Sequence, residues 1–126
     1  MTARLILLIA AVLGALGVSL GAFGAHALHD FLAKAGRLDT FETAVRYQFY
    51  HTLALLALGI LRLVRPDLPS LGTIGWLWLA GIVLFSGSLY GLCFTSQRWF
   101  GPITPLGGLC FIIGWVMLAV AVVRMA

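Results

Sequence analysis

The sequence predicts an all-α, polytopic membrane protein: a compact bundle of four transmembrane helices with short turns and an amphipathic connection at residues 28–46. Three observations carry that expectation. Of 126 residues, 62% are hydrophobic and only 10% charged, where soluble domains average roughly a quarter charged. Mean hydropathy is +1.08. The charged positions leave uncharged runs at residues 5–29, 47–61, 68–97 and 99–123, and three of these exceed the about 20 residues that carry a helix across hydrocarbon. A single integral domain over residues 1–126 excludes a separate nucleotide-binding, catalytic or DNA-binding domain.

The first helix is expected at residues 4–28. It follows Arg4, and its apolar run is longer than a signal-peptide core, so it reads as a span and not as a cleaved leader. Ala10, Gly14, Gly17, Gly21 and Gly24 recur at steps of three and four, a smooth face that another helix can approach closely. The second helix is expected at 39–64. Its 15 uncharged residues give only about 22 Å of helix, so charged residues must enter the membrane boundary. Asp39 with Glu42 resembles a capping box. Leu38, Phe41, Val45 and Phe49 share one face, which predicts a segment lying along the interface before the helix plunges.

Arg65, Pro66, Asp67, Pro69 and Ser70 form a polar turn into a third helix at 71–97, with Trp76 and Trp78 as interfacial anchors near its start. Gly87 and Gly91 offer it a second helix-packing surface. Trp99 and Phe100 mark the opposite interface. Gly101, Pro102, Pro105, Gly107 and Gly108 predict a tight or partly unwound start to the fourth helix, at 102–124.

Four passes place both termini and the 62–70 turn on one side. His26, Arg46, Tyr47, Tyr50, His51, Ser86, Ser88 and Arg98 are the polar residues singled out as a candidate cluster of structural or functional role, mostly in the opposite half of the bundle. In the second helix Arg46 and Tyr50, and Tyr47 and His51, are spaced four apart and stack in two strips. His51 lies about 7 to 8 Å deeper than Arg46, at a depth where an ionisable group turns inward to a partner. Thr52, Ser86, Ser88 or a backbone carbonyl are the candidates. Basic residues split evenly, with Arg4, Arg62, Arg65 and Arg124 facing Lys34, Arg37, Arg46 and Arg98. The acidic residues Asp30, Asp39 and Glu42 dilute the second group, so both termini are assigned to the cytoplasm.

Gly21-Ala-Phe-Gly-Ala-His-Ala-Leu28, Arg46-Tyr-Gln-Phe-Tyr-His51, Phe85-Ser-Gly-Ser-Leu-Tyr90 and Gly101-Pro-Ile-Thr-Pro-Leu-Gly-Gly108 stand in this order along nearly the whole chain. Together they resemble the domain-of-unknown-function family 423, small four-pass proteins grouped with transmembrane protein 256. The resemblance implies a compact four-helix protein of bacterial inner membranes, with mitochondrial relatives. It implies no biochemical activity and gives no chemical role to any matching residue.

The leading expectation is a non-enzymatic protein that packs with lipid, with a second copy or with other membrane proteins as an accessory or scaffold subunit. The alternative is a small ion- or proton-linked transporter or channel, motivated by Arg46, His51 and the broken start of the fourth helix. Against it stands the lack of a carboxylate within a span. A third reading places haem or metal on His26, His29 and His51, but no thiolate or carboxylate joins them at one depth, so no cofactor is expected. Eight basic residues scattered singly form no track for phosphates, and no nucleic-acid partner is expected. Cys93 and Cys110 lack metal or redox spacing. Ser86, Gly87, Ser88 and Gly91 do not form a nucleophile elbow, so no enzyme is expected.

Overall fold

The computed structural model describes residues 1–125. Within them all regular structure is helical, and four helical rods are long and apolar enough to cross a membrane. The first is α1 (Ala3–Ala25) and the second α3 (Leu38–Val64), bridged by the short α2 (His29–Lys34). The third rod is composite: α4 (Leu71–Gly81) passes through a π-helical turn at Ile82–Ser86 into α5 (Gly87–Thr95). A 3-10 turn at Arg98–Phe100 leads into α6 (Ile103–Val123).

Local chemistry sets the ends. Thr2 caps α1, its hydroxyl oxygen accepting the Leu5 N–H at 3.3 Å. Gly36 adopts φ +66, the left-handed conformation that ends a helix without a Cβ penalty. That residue breaks the 28–46 connection in two, and α2 turns its fully buried Leu32 inward. The expected capping box does not form. Arg37 occupies the cap of α3 without a side-chain bond, and Asp39 lies inside the first turn, where its charge suits the helix dipole. Glu42 is drawn instead to the Arg46 guanidinium at 2.9 Å, a stronger acceptor–donor match than a neutral backbone N–H.

The helices run antiparallel, with α3 and the third rod as the central pair, α1 laid along α3 and α6 along the third rod. Met1 rests against Gly72 and Gly75, and Met125 joins a core with Leu68 and Leu71, so the chain ends and the 65–70 turn share one end. At the other end Phe31 of α2 stacks on Phe94 of α5 at 6.0 Å. The main core gathers Ile6, Leu55, Leu58, Ile74, Trp78 and Phe111, and a smaller one gathers Leu32, Phe41 and Cys93.

The glycine face of α1 receives α3 in register. Gly14 faces Thr52, Gly17 faces Phe49, Gly21 faces Val45 and Gly24 faces Phe41. A Cβ at Gly17 would stand 2.8 Å from the Phe49 ring. The Phe41, Val45 and Phe49 stripe therefore packs on α1 and does not lie on the membrane surface, because small residues opposite each large one let the two backbones approach.

Three further expectations are corrected. Gly87 faces open space, and Gly91 takes the Phe100 ring from its own downstream turn, so this pair is not a surface between helices. The glycines that seat neighbouring helices are Gly81 against Phe111, Gly107 against the Phe85 backbone and Gly114 against Trp78. Trp78 is 1% exposed and belongs to the core, whereas Trp76 stays on the outside. The start of α6 is not unwound: Pro102 occupies its cap and Pro105 its first turn, positions whose N–H groups have no intrahelical partner to lose.

Candidate functional site

Helix α3 carries polar side chains on its inward face at mid-span. Gln48, His51 and Thr52 are buried, at 3%, 5% and 3% exposure. In hydrocarbon each must find a protein partner. Gln48 reaches two helices: its amide N–H donates to the Leu13 carbonyl of α1 at 3.0 Å, and its amide oxygen accepts the Tyr90 hydroxyl of α5 at 2.8 Å. The Thr52 hydroxyl donates back to the Gln48 carbonyl at 2.7 Å.

His51 joins the hub to the fourth rod. Its Nδ1 lies 2.9 Å from the Tyr47 carbonyl, and the Trp115 indole N–H donates to its Nε2 at 3.1 Å. A carbonyl only accepts and an indole N–H only donates, so the two contacts together define a neutral ring with its proton on Nδ1. The ring stacks on Phe111 with centroids 3.5 Å apart and planes 9° apart. Tyr47 packs on Phe85 at 4.6 Å, and Trp78 on Trp115 at 4.5 Å. Farther along, Ser88 donates to the Phe85 carbonyl at 2.9 Å and shares a 2.6 Å hydroxyl–hydroxyl bond with Thr104 of α6.

Of the residues singled out from sequence, the fold brings Tyr47 and His51 together and sets Ser88 in its own bond to α6. Ser86 is 1% exposed, with no partner for its hydroxyl among the described residues. Arg46 pairs outward with Glu42, Tyr50 is 59% exposed, and His26, His29 and Arg98 are exposed outside the hub. The histidine triplet is not a ligand set. Both His51 nitrogens are engaged, and among the described residues no three His, Cys, Asp or Glu side chains converge. Gln48, Trp115, Phe111 and Thr104 were not foreseen. Gln48 had a signal, being the one amide on the buried stripe Phe41, Ala44, Gln48, Thr52 and Leu55, whereas Trp115 reads in sequence as an ordinary apolar residue.

Comparison with known proteins follows the same outline. A family described as "Protein of unknown function (DUF423)" matches residues 20–108, and those residues contain α2 through α5 and the hub members Gln48, His51 and Tyr90. The chain belongs to the DUF423 family. It is 44% identical over 121 residues, 96% of this chain and 98% of the relative, to the "UPF0382 membrane protein YwdK" of Bacillus subtilis (strain 168). It is 39% identical over 125 residues, 99% of this chain and 94% of the relative, to the "UPF0382 inner membrane protein YgdD" of Escherichia coli (strain K12). No solved structure matches it. This DUF423 chain is accordingly a multi-pass protein of the bacterial inner membrane, of a family to which no biochemical function is assigned.

Chemically, the hub is a set of neutral donors and acceptors matched one to another. It ties α1, α3, α5 and α6 by bonds that fix register, and the stacked His51 and Phe111 rings, with Trp115 edge-on to His51, close the gap between α3 and α6.

Proposed function

We propose that the protein is a non-enzymatic packing element of the inner membrane, acting through its outer surface on a second copy, a larger membrane protein or lipid. One contrast supports this reading. Gln48, His51 and Ser88 are bonded to neighbouring helices inside the bundle, while the outer rods α1 and α6 are left largely uncovered within the chain. Leu8, Val12, Leu16 and Val18 on α1 and Ile112, Val116 and Val120 on α6 stand exposed. Single cysteines at Val12 and Val116, in a background with Cys93 and Cys110 replaced by Ala, test it in native membranes. Crosslinks to a second copy or to a discrete protein are expected at one of the two faces. A chain that is monomeric in native nanodiscs and uncrosslinked at both has no role as an oligomer or accessory subunit. Both termini are placed in the cytoplasm, which membrane-impermeant labelling of terminal cysteines in intact cells tests directly.

A second reading, an ion- or proton-linked transporter, is favoured by one observation. The third rod widens into its π turn where the Ser86 hydroxyl is buried and unpartnered, and such turns concentrate at functional sites. Flux in proteoliposomes that Ser86→Ala abolishes supports it, and absence of flux under both signs of potential removes it.

A further inference from the structure

Where α1, α2 and the start of α3 meet lies a groove of about 460 Å³. Its wall on α1 is Gly21, Gly24 and Ala25, nearly without side chains, and Phe41 and Val45 of α3 complete an apolar slot. At its mouth stand Glu42 and Arg46. Arg46 directly precedes the uncharged run 47–61, and α2 beside it carries Asp30 and Lys34. That places the mouth at headgroup depth and the slot at the depth of the first acyl carbons.

The charges at the mouth form a preset dipole. Arg46 uses one terminal nitrogen on one carboxylate oxygen of Glu42. Its remaining N–H donors and the second Glu42 oxygen carry no other bond among the described residues. A ligand matching this pair needs an anionic oxygen cluster for the guanidinium and a hydrogen-bonding cation for the carboxylate, joined by a short linker and followed by an apolar chain. An anionic headgroup without a cation meets Glu42 as a like charge, and a trimethylammonium group has no N–H to donate. We propose that the groove is a binding site for a phospholipid with a primary-ammonium headgroup, phosphatidylethanolamine. The phosphate sits on Arg46, the ammonium on Glu42, and an acyl chain lies against Gly21, Ala25 and Val45. This rests on the reading above only in taking the outer surface as the working one, since the groove lies within a single chain.

The test is native mass spectrometry of the purified full-length protein, titrated in detergent with phosphatidylethanolamine, phosphatidylglycerol and phosphatidylcholine of identical acyl chains. Phosphatidylethanolamine is expected to bind about tenfold more tightly than either competitor, the scale of one charge-assisted hydrogen bond. Glu42→Gln with Arg46→Gln should erase the preference. Ala25→Phe, at an exposed position, should fill the slot and lower retention while leaving the ion pair intact. Equal binding of the three lipids overturns the assignment, as does phosphatidylethanolamine retention that Ala25→Phe leaves unchanged. Because the same spectra report the number of chains, loss of the lipid preference and absence of an oligomer are read separately.

Discussion

Replacing Gln48 by Leu puts an apolar side chain of comparable size in its place and deletes both bonds that the amide makes to neighbouring helices. Each such bond in a membrane bundle contributes about 0.6 kcal/mol on average and up to about 1.7. The Tyr90 hydroxyl also loses the acceptor it holds at 2.8 Å, and an orphaned buried donor costs about 1–3 kcal/mol. Leu13 is spared, because its carbonyl also accepts within α1. The sum is a loss of about 2–4 kcal/mol for Gln48→Leu and about 1–2 kcal/mol for Tyr90→Phe. Since the two residues share one bond, the double variant should fall short of additivity by about 1 kcal/mol. Reversible unfolding in mixed micelles reads this, with the buried Trp78 as reporter beside the hub. Additivity within about 0.3 kcal/mol refutes the bond and with it the hub as the element that fixes helix register.

Other outcomes follow from the same contacts. Gly107→Ala drives a Cβ into the Phe85 backbone, which cannot rotate aside, and should cost about 2 kcal/mol or more, whereas Gly87→Ala meets nothing and should gain about 0.5–1 kcal/mol from helix propensity in the same assay. Trp115→Phe leaves the ring stack and removes the donor to His51, for a loss of about 1 kcal/mol. Ser86→Ala removes an unpartnered buried hydroxyl and should leave stability unchanged or raise it by up to about 1 kcal/mol; a clear loss means that the hydroxyl has a partner in the membrane. The Arg65 guanidinium, bonded to Asp67 at 2.8 and 2.9 Å, holds the Asp67 carboxyl below its ordinary value of 3.8. A lowered native value means that the pair's contribution is complete above 3.8 and disappears as pH falls through the native value, so a melting-temperature profile on the acid side should flatten in Asp67→Asn.

The spans were legible because hydrocarbon allows so few solutions. Uncharged runs separated by Pro, Gly and charged turns leave only helices of membrane length, and the glycine steps from Gly14 to Gly24 mark the α1 surface on which α3 lies. What escaped the sequence is set by partners distant along the chain. Trp78 and Trp76 have the same local signature, yet Gly114 on α6 provides a seat for one of them only. Asp39 and Glu42 have capping-box spacing, and a nearby guanidinium takes the carboxylate first. His51 was legible as an inward-turned group, but its partner Trp115 is 64 residues away and carries no polar signature in a hydropathy reading.

That partner explains how four rods with a slippery medium around them acquire one arrangement. Apolar side chains gain little from leaving lipid for one another, so smooth α1–α3 packing alone would tolerate a shift by one helical turn. Gln48 does not tolerate it, because the Leu13 carbonyl and the Tyr90 hydroxyl flank it from two different helices. Nor does His51, whose one free lone pair must meet the Trp115 N–H while its face covers Phe111. A slipped bundle leaves several polar atoms without partners in hydrocarbon, each costing several kcal/mol. The hub therefore acts chiefly against misassembled alternatives. A protein built this way keeps its interior closed and presents a fixed exterior, which is the property that a partner helix or a headgroup at the Glu42 and Arg46 mouth requires.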